Sequence, residues 1–135
     1  MSTANRSVPD AVVIPVLLYP DVPRAAAWLC SAFGFRVRLS IGDHRAQLVY
    51  GAGAVILTRG DAEPAGHSVH VRVDDADAHH DSAVAAGARI VSAPSDFPYG
   101  ERQYTAEDPA GRRWTFSQSV ADVDPSTWGG ILVGE

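Results

Sequence analysis

Sliding the chain by 53 residues lays one half over the other. Asp21 then falls on Asp74, Ala25 on Ala78, Gly34 on Gly87, Arg36 on Arg89 and Val37 on Ile90. In each half an acidic cap precedes an alanine-rich helical stretch, a glycine closes it, and an Arg-aliphatic pair begins the next strand. A period near this length also occurs in propeller blades. Two copies cannot close a ring, however, and helices do not belong in a blade. The competing explanation is two unrelated strand–helix pairs of similar length.

Each half reads as strand, helix and three strands. In the first, residues 11–59, the apolar run 11–19 has strand length. Pro15 marks that run as an edge or bulged strand. Asp21 before Pro23 supplies a cap and first turn for a helix ending at Gly34. Strands follow at 35–41, 45–50 and 54–59, turning at Gly42-Asp43 and Gly51-Ala52-Gly53. Residues 60–66 read as a linker. In the second half, residues 67–118, His67–Val73 alternates as a strand, and Asp74 and Asp75 cap a helix through Ala86, closed by Gly87. Ala88–Ser92 is a strand and Pro94–Gly100 a loop. Glu101–Glu107 and Arg112–Gln118 form a hairpin across Asp108-Pro109-Ala110-Gly111. A tail, 119–135, carries Trp128. The fold class is α+β, one domain over residues 1–135.

Bulk properties exclude several classes. The chain has 135 residues, 46% hydrophobic and 20% charged, enough for a core without disulfides. Cys30 is the single cysteine, so no intrachain disulfide forms. No charged-then-apolar leader is visible, and no apolar run approaches the roughly 18 residues that span a bilayer. The expectation is a cytoplasmic protein with no membrane partner. Net charge is −5, from 11 basic residues, all Arg, and 16 acidic ones. That balance argues against nucleic acid as a direct target.

Three phrases resemble the vicinal oxygen chelate superfamily, the glyoxalase/bleomycin-resistance fold. Asp21 to Phe35 (DVPRAAAWLCSAFGF) is similar to its first helix, and Val71 to Gly87 (VRVDDADAHHDSAVAAG) to its second. Tyr99 to Phe116 (YGERQYTAEDPAGRRWTF) is similar to its closing hairpin, with Glu107-Asp108-Pro109 and Gly111 the most specific part. The resemblance implies two tandem βαβββ units, a curled mixed sheet, a U-shaped cavity and a homodimer. It also implies His or Glu ligands for a divalent ion on the first and last strands of each unit, polarising substrate oxygens.

Carried onto this chain, those ligand positions fall on Ile14 (or Pro15), Ile56 or Leu57, Ser68 (with His67 one residue away) and Thr115. None keeps a clear ligand, and the aliphatic replacements cannot donate to a metal. His79 and His80 are adjacent on a helix, about 100° apart, a poor chelate better suited to solvent. The sequence lacks G-x-S-x-G, C-x-x-C, P-loop and G-x-G-x-x-G motifs. Cys30, mid-helix in the apolar setting Trp28-Leu29-Cys30, reads as a small buried hydrophobe rather than a nucleophile. No catalytic residue, metal or cofactor is expected.

Alternation suggests the cavity lining. With Ser68 inward, His70 and Arg72 follow, or these two lie on an exposed edge. A turn with Asp108 opposite Gly111 sets Tyr104 opposite Thr115 and Arg102 opposite Ser117, all inward, while Trp114 and Phe116 face the helices. Val16, Leu18 and Leu57 supply apolar wall. A one-residue slip would exchange the two faces. The expected ligand-binding set is Ser68, His70, Arg72, Arg102, Tyr104, Thr115, Leu57 and Leu18. Phe97-Pro98-Tyr99-Gly100 and Trp128 would close over it, Trp128 being lid or plug. Such a pocket suits a flat aromatic or peptide-like small molecule. The resemblance to the non-metal, antibiotic-binding branch implies sequestration and self-resistance. The alternatives are a lyase, isomerase or dioxygenase of the superfamily, or a dimer without ligand.

Overall fold

Pro15 has no N–H to give a ladder, and the first strand begins immediately after it. The computed structural model describes residues 5–62 and 67–132, so part of the expected linker lies outside the described residues. In the first unit β1 (Val16–Tyr19) leads to α1 (Val22–Phe33), then β2 (Arg36–Ile41), β3 (Arg45–Tyr50) and β4 (Gly53–Arg59). The sheet order is β1-β4-β3-β2, with β1 on the edge and parallel to β4. The second unit repeats this with β5 (Ser68–Arg72), α2 (Ala76–Ala85), β6 (Arg89–Phe97), β7 (Glu101–Glu107) and β8 (Arg113–Ser119), in the order β5-β8-β7-β6. A 3-10 turn at Pro125–Trp128 follows. Among the described residues the class is α+β, with two α-helices and two mixed sheets in two compact units dividing near residue 63. Among the described residues no helix is long and apolar enough to cross a membrane.

The repeat holds in detail. Gly34 and Gly87 both take left-handed backbone, φ 84° and 91°, and end their helices in phase. Both second strands carry a register shift at the same place, Val37/Leu39 and Ile90/Ser92. The caps drift by one. Asp21 accepts from the Arg24 amide, whereas Asp75 rather than Asp74 accepts from the Ala78 amide. A further shift at Ser92/Ser95 carries β6 through Pro94 to Phe97, a stretch expected to be loop.

Each helix covers one face of its sheet. In the first unit Leu17, Leu48 and Leu57 are buried there with Leu29 and Phe33 of α1. In the second, α2 presents Ala76 and Ala83, and the sheet fills the space with Tyr104, Trp114 and Phe116. His79 of α2 lies over Phe116, ring centroids 4.3 Å apart, and hydrogen-bonds the Tyr104 hydroxyl at 2.5 Å. His79 and His80, expected in solvent, are therefore half-buried beside Tyr104.

The β7–β8 turn corrects the expected hairpin register. The Gly111 amide donates to Asp108 O at 2.9 Å, and the Asp108 amide donates to Arg112 O at 3.0 Å. Asp108 thus faces Arg112, not Gly111. The left-handed Gly111, φ 83°, adds one residue to the loop. The Asp108 carboxylate holds this geometry by accepting from the Ala110 and Arg112 amides and from Trp114 Nε1. Consequently Thr115 pairs with Thr105, and Tyr104 pairs with Phe116.

Candidate functional site

That one-residue change sorts the expected site residues onto two faces. Ser68, His70 and Arg72 pair with Arg113, Thr115 and Ser117, so they share the face away from α2, as expected. Tyr104 does not join them. It is 0% exposed on the helix side, with Trp114 and Phe116. Arg102 pairs with Gln118 on that same side, where it bonds Asp77 of α2 at 3.0 Å and Asp96 of β6 at 3.1 Å. The bonds to Asp77, then Asp96, raise the Arg102 pKa further. Leu57 is displaced likewise. It pairs with Leu17 and Ala46 under α1, and Ile56 stands beside Val16 and Gln47 on the far face. Leu18 pairs with Thr58 on that far face, as expected.

The far face of the second sheet carries a polar network with a separate threonine pair beside it. Glu101 is its hub, accepting from Ser117 Oγ and Ser119 Oγ, each at 2.5 Å. Arg72 donates to Ser119 Oγ at 2.8 Å. Gln103 donates to Ser117 Oγ at 3.1 Å and accepts from the Tyr99 hydroxyl at 3.4 Å. Thr105 and Thr115 share a hydrogen bond of 2.9 Å. The Ser117 and Ser119 hydroxyls, and then the nearby Arg72 and His70, hold the Glu101 carboxyl below the usual carboxylate range. This is a fixed anion beside a cation, with hydroxyl and amide groups between them. Glu101 and Gln103 were missed from sequence because the register was off by one. Counting back by twos from Thr105 reaches both.

The first unit is different. Its far face has Val16, Leu18, Ile56 and Gln47. Gln47 is buried, accepts from Arg38 at 2.6 Å and donates to Ser7 O at 2.8 Å. Arg38 also donates to Arg6 O at 2.7 Å, so the segment around residues 6–7 is tied to this sheet. A groove of about 420 Å³ runs between Pro9–Ala11 and the strand ends, lined by Arg36, Arg38, Val49 and Ala54. It lies in the other unit from Glu101. With Arg38 already bound on two sides, the second sheet is the better candidate site.

The metal test fails on side-chain chemistry. The far-face positions that match the implied ligand set hold Ile56, Ser68 and Thr115, and Ile14 precedes β1 in the same alternation. Neither isoleucine has a donor atom. His67 accepts from Arg112 Nε at 3.3 Å. Among the described residues no group of three or more His, Cys, Asp or Glu side chains is placed to hold a metal ion. Cys30 is half-buried, and burial pushes its thiol pKa up, away from nucleophilic thiolate.

Residues 11–116 match the model of the glyoxalase/bleomycin resistance protein/dioxygenase superfamily. The chain belongs to that superfamily. Its structure is similar to that of TioX from Micromonospora sp. ML1, with 37% identity, 79% of this chain and 97% of that one covered, and a TM-score of 0.68. It also resembles the bleomycin-binding protein of bleomycin-producing Streptomyces verticillus, solved with copper(II)-bleomycin. There the identity is 23%, the coverage 78% and 93%, and the TM-score 0.62, a likeness of fold. An uncharacterised protein of Mycobacterium bovis is 37% identical over 57 residues, 42% of this chain. That match spans 38% of the mycobacterial protein's length.

Proposed function

We propose that this member of the superfamily binds a small aromatic or peptide-like molecule, without a metal and without altering it, in an antibiotic-sequestering role. The observation that carries the reading is the substitution of the implied metal set by Ile14, Ile56, Ser68 and Thr115. Hydrogen-bonding side chains on the second sheet suit an amide-bearing ligand. The bleomycin complex of the Streptomyces protein is a precedent for drug binding on this fold. We further propose a homodimer, because β1 and β2 leave sheet edges with Val16, Val37 and Ile41 half-exposed.

A second reading has one observation in its favour. Glu101, held ionised, and His70 lie on one face and form an acid–base set for a metal-free lyase or isomerase. One experiment separates the two. The protein is titrated with bleomycin and a panel of aromatic peptide antibiotics, following tryptophan fluorescence, and bound compounds are recovered for mass analysis. Recovery of unchanged compound supports binding, and a converted compound supports the enzyme. Elemental analysis after purification without chelators is expected to find no stoichiometric metal. One tightly held Zn, Ni, Mn or Fe per chain would overturn the metal-free reading.

A further inference from the structure

Three aromatic rings line up at the β6–β7 end of the second sheet. Phe97 stacks on Tyr99 with centroids 5.5 Å apart and planes at 23°, and Tyr99 meets Trp128 at 5.2 Å. Phe97 and Trp128 stay 38% and 46% exposed, so both rings keep surface open to solvent on either side of Tyr99. The arrangement is built. Gly100 sits between Tyr99 and Glu101 with φ 82°, and a Cβ there would come within 2.3 Å of Ala121 O. The Val120 amide donates to Gly100 O at 2.8 Å. The tail is thereby clamped to the turn, and the 3-10 turn then sets Trp128 against Tyr99.

These rings adjoin the polar network. Phe97 pairs with Glu101, which pairs with Ser119, and the Tyr99 hydroxyl bonds Gln103. Glu101 uses one acceptor site on each oxygen for the serines, so lone pairs remain. Arg72 is exposed and donates one of its five N–H groups to Ser119. An acceptor and a donor joined through a single serine hydroxyl therefore lie beside a ring-stacking surface.

We propose that Phe97, Tyr99 and Trp128, with Glu101 and Arg72, form a subsite for a planar ring carrying adjacent N–H and C=O groups, a cyclic amide or imide. The ring stacks on the aromatic ladder. Its N–H donates to Glu101 and its C=O accepts from Arg72. Reversing either polarity, or methylating the nitrogen, leaves a charged group facing an atom it cannot bond. This deepens the binding reading above and rests on it.

Oxindole and N-methyloxindole are suitable probes, titrated by calorimetry into the full chain. Oxindole is expected to bind saturably, and N-methyloxindole about 10-fold more weakly or worse. Trp128→Ala and Phe97→Ala should each weaken oxindole by roughly 5- to 150-fold with unchanged melting temperature. Glu101→Gln should bring the two probes closer in affinity. No saturable oxindole binding by the folded protein overturns the subsite, and so does equal affinity of the two probes. Oxindole binding untouched by both aromatic variants also overturns it, yet leaves the protein a ligand binder. Failure of the wider reading shows separately, as no binding of any compound in the antibiotic panel.

Discussion

The two sheets share strand order, a register shift in the second strand and a glycine at the helix end, yet their far faces have opposite chemistry. In the first, Val16, Leu18 and Ile56 are aliphatic, and the polar residues there, Gln47 and Arg38, are used to tie down residues 6–7. In the second, Glu101, Gln103, Ser117 and Ser119 bond one another across β7 and β8, Arg72 of β5 joins them at Ser119, and Thr105 bonds Thr115. The elements that make the unit, its strand order, helix-ending glycine and buried helix-side core, lie apart from the far-face residues in which the copies differ most sharply. A duplicated scaffold can thus keep its fold while one face is apolar and the other polar.

The sharpest way to test that separation is to cut the helix-side core. Trp114→Ala and Tyr104→Ala should each destabilise the protein by about 3–5 kcal/mol in denaturant melts, because both rings are buried. Should Tyr104→Ala melt normally and only weaken binding, Tyr104 belongs to the far face and the register is wrong. In the first unit Gln47→Ala should cost about 1–3 kcal/mol, since Arg38 and Ser7 O lose a buried partner. Faster amide exchange in residues 6–9 would accompany it. Absence of both effects would show that the far face of the first sheet does not depend on this tether.

A subtler effect concerns acid. Glu101 releases its proton more readily in the folded chain than unfolded. Its contribution to stability is fully present above the unfolded carboxyl pKa of about 4.3. It is lost as pH falls through the depressed folded value. Glu101→Gln should flatten that part of the acid melting curve, and an unchanged slope would remove Glu101 from the network. The smallest change is expected from Arg102→Ala. Its pairs with Asp77 and Asp96 are solvent-exposed, so the loss of stability should be the smallest of the set and fade in salt. Ligand affinity should not move. A large loss of affinity would return Arg102 to the binding face. Light scattering tests whether the exposed edges meet a second copy, two chains being expected.

Much of this contrast was legible in the sequence. Asp21, Gly34 and Gly87 marked the helices because cap and left-handed positions admit few residue types. Pro15 marked an edge because it lacks an amide. Ser68, His70 and Arg72 followed from simple alternation, with their partners Thr115 and Ser117. What failed was parity across turns. Asp108-Pro109-Ala110-Gly111 is compatible with loops differing by one residue, and that choice moves Tyr104 and Arg102 to the opposite face. Leu57 and Ile56 are equally apolar, so composition does not say which faces the helix. Pro94 suggested a loop, yet a bulge accommodates it within β6. Glu101 became visible as a hub only through the serines it meets on β8.

The outer strands β1 and β5 carry a consequence for assembly of the chain. Each pairs in parallel with the last strand of its unit, Val16 with Ile56 and His70 with Thr115, after a helix and two further strands have intervened. The β3–β4 and β7–β8 hairpins close short loops and can form early. The parallel partners must wait, because their loop-closure entropy is offset only once the hairpins and helix are in place. Loop-closure entropy therefore predicts that His70 and Arg72 join Thr115 and Ser117 late in the folding of their unit.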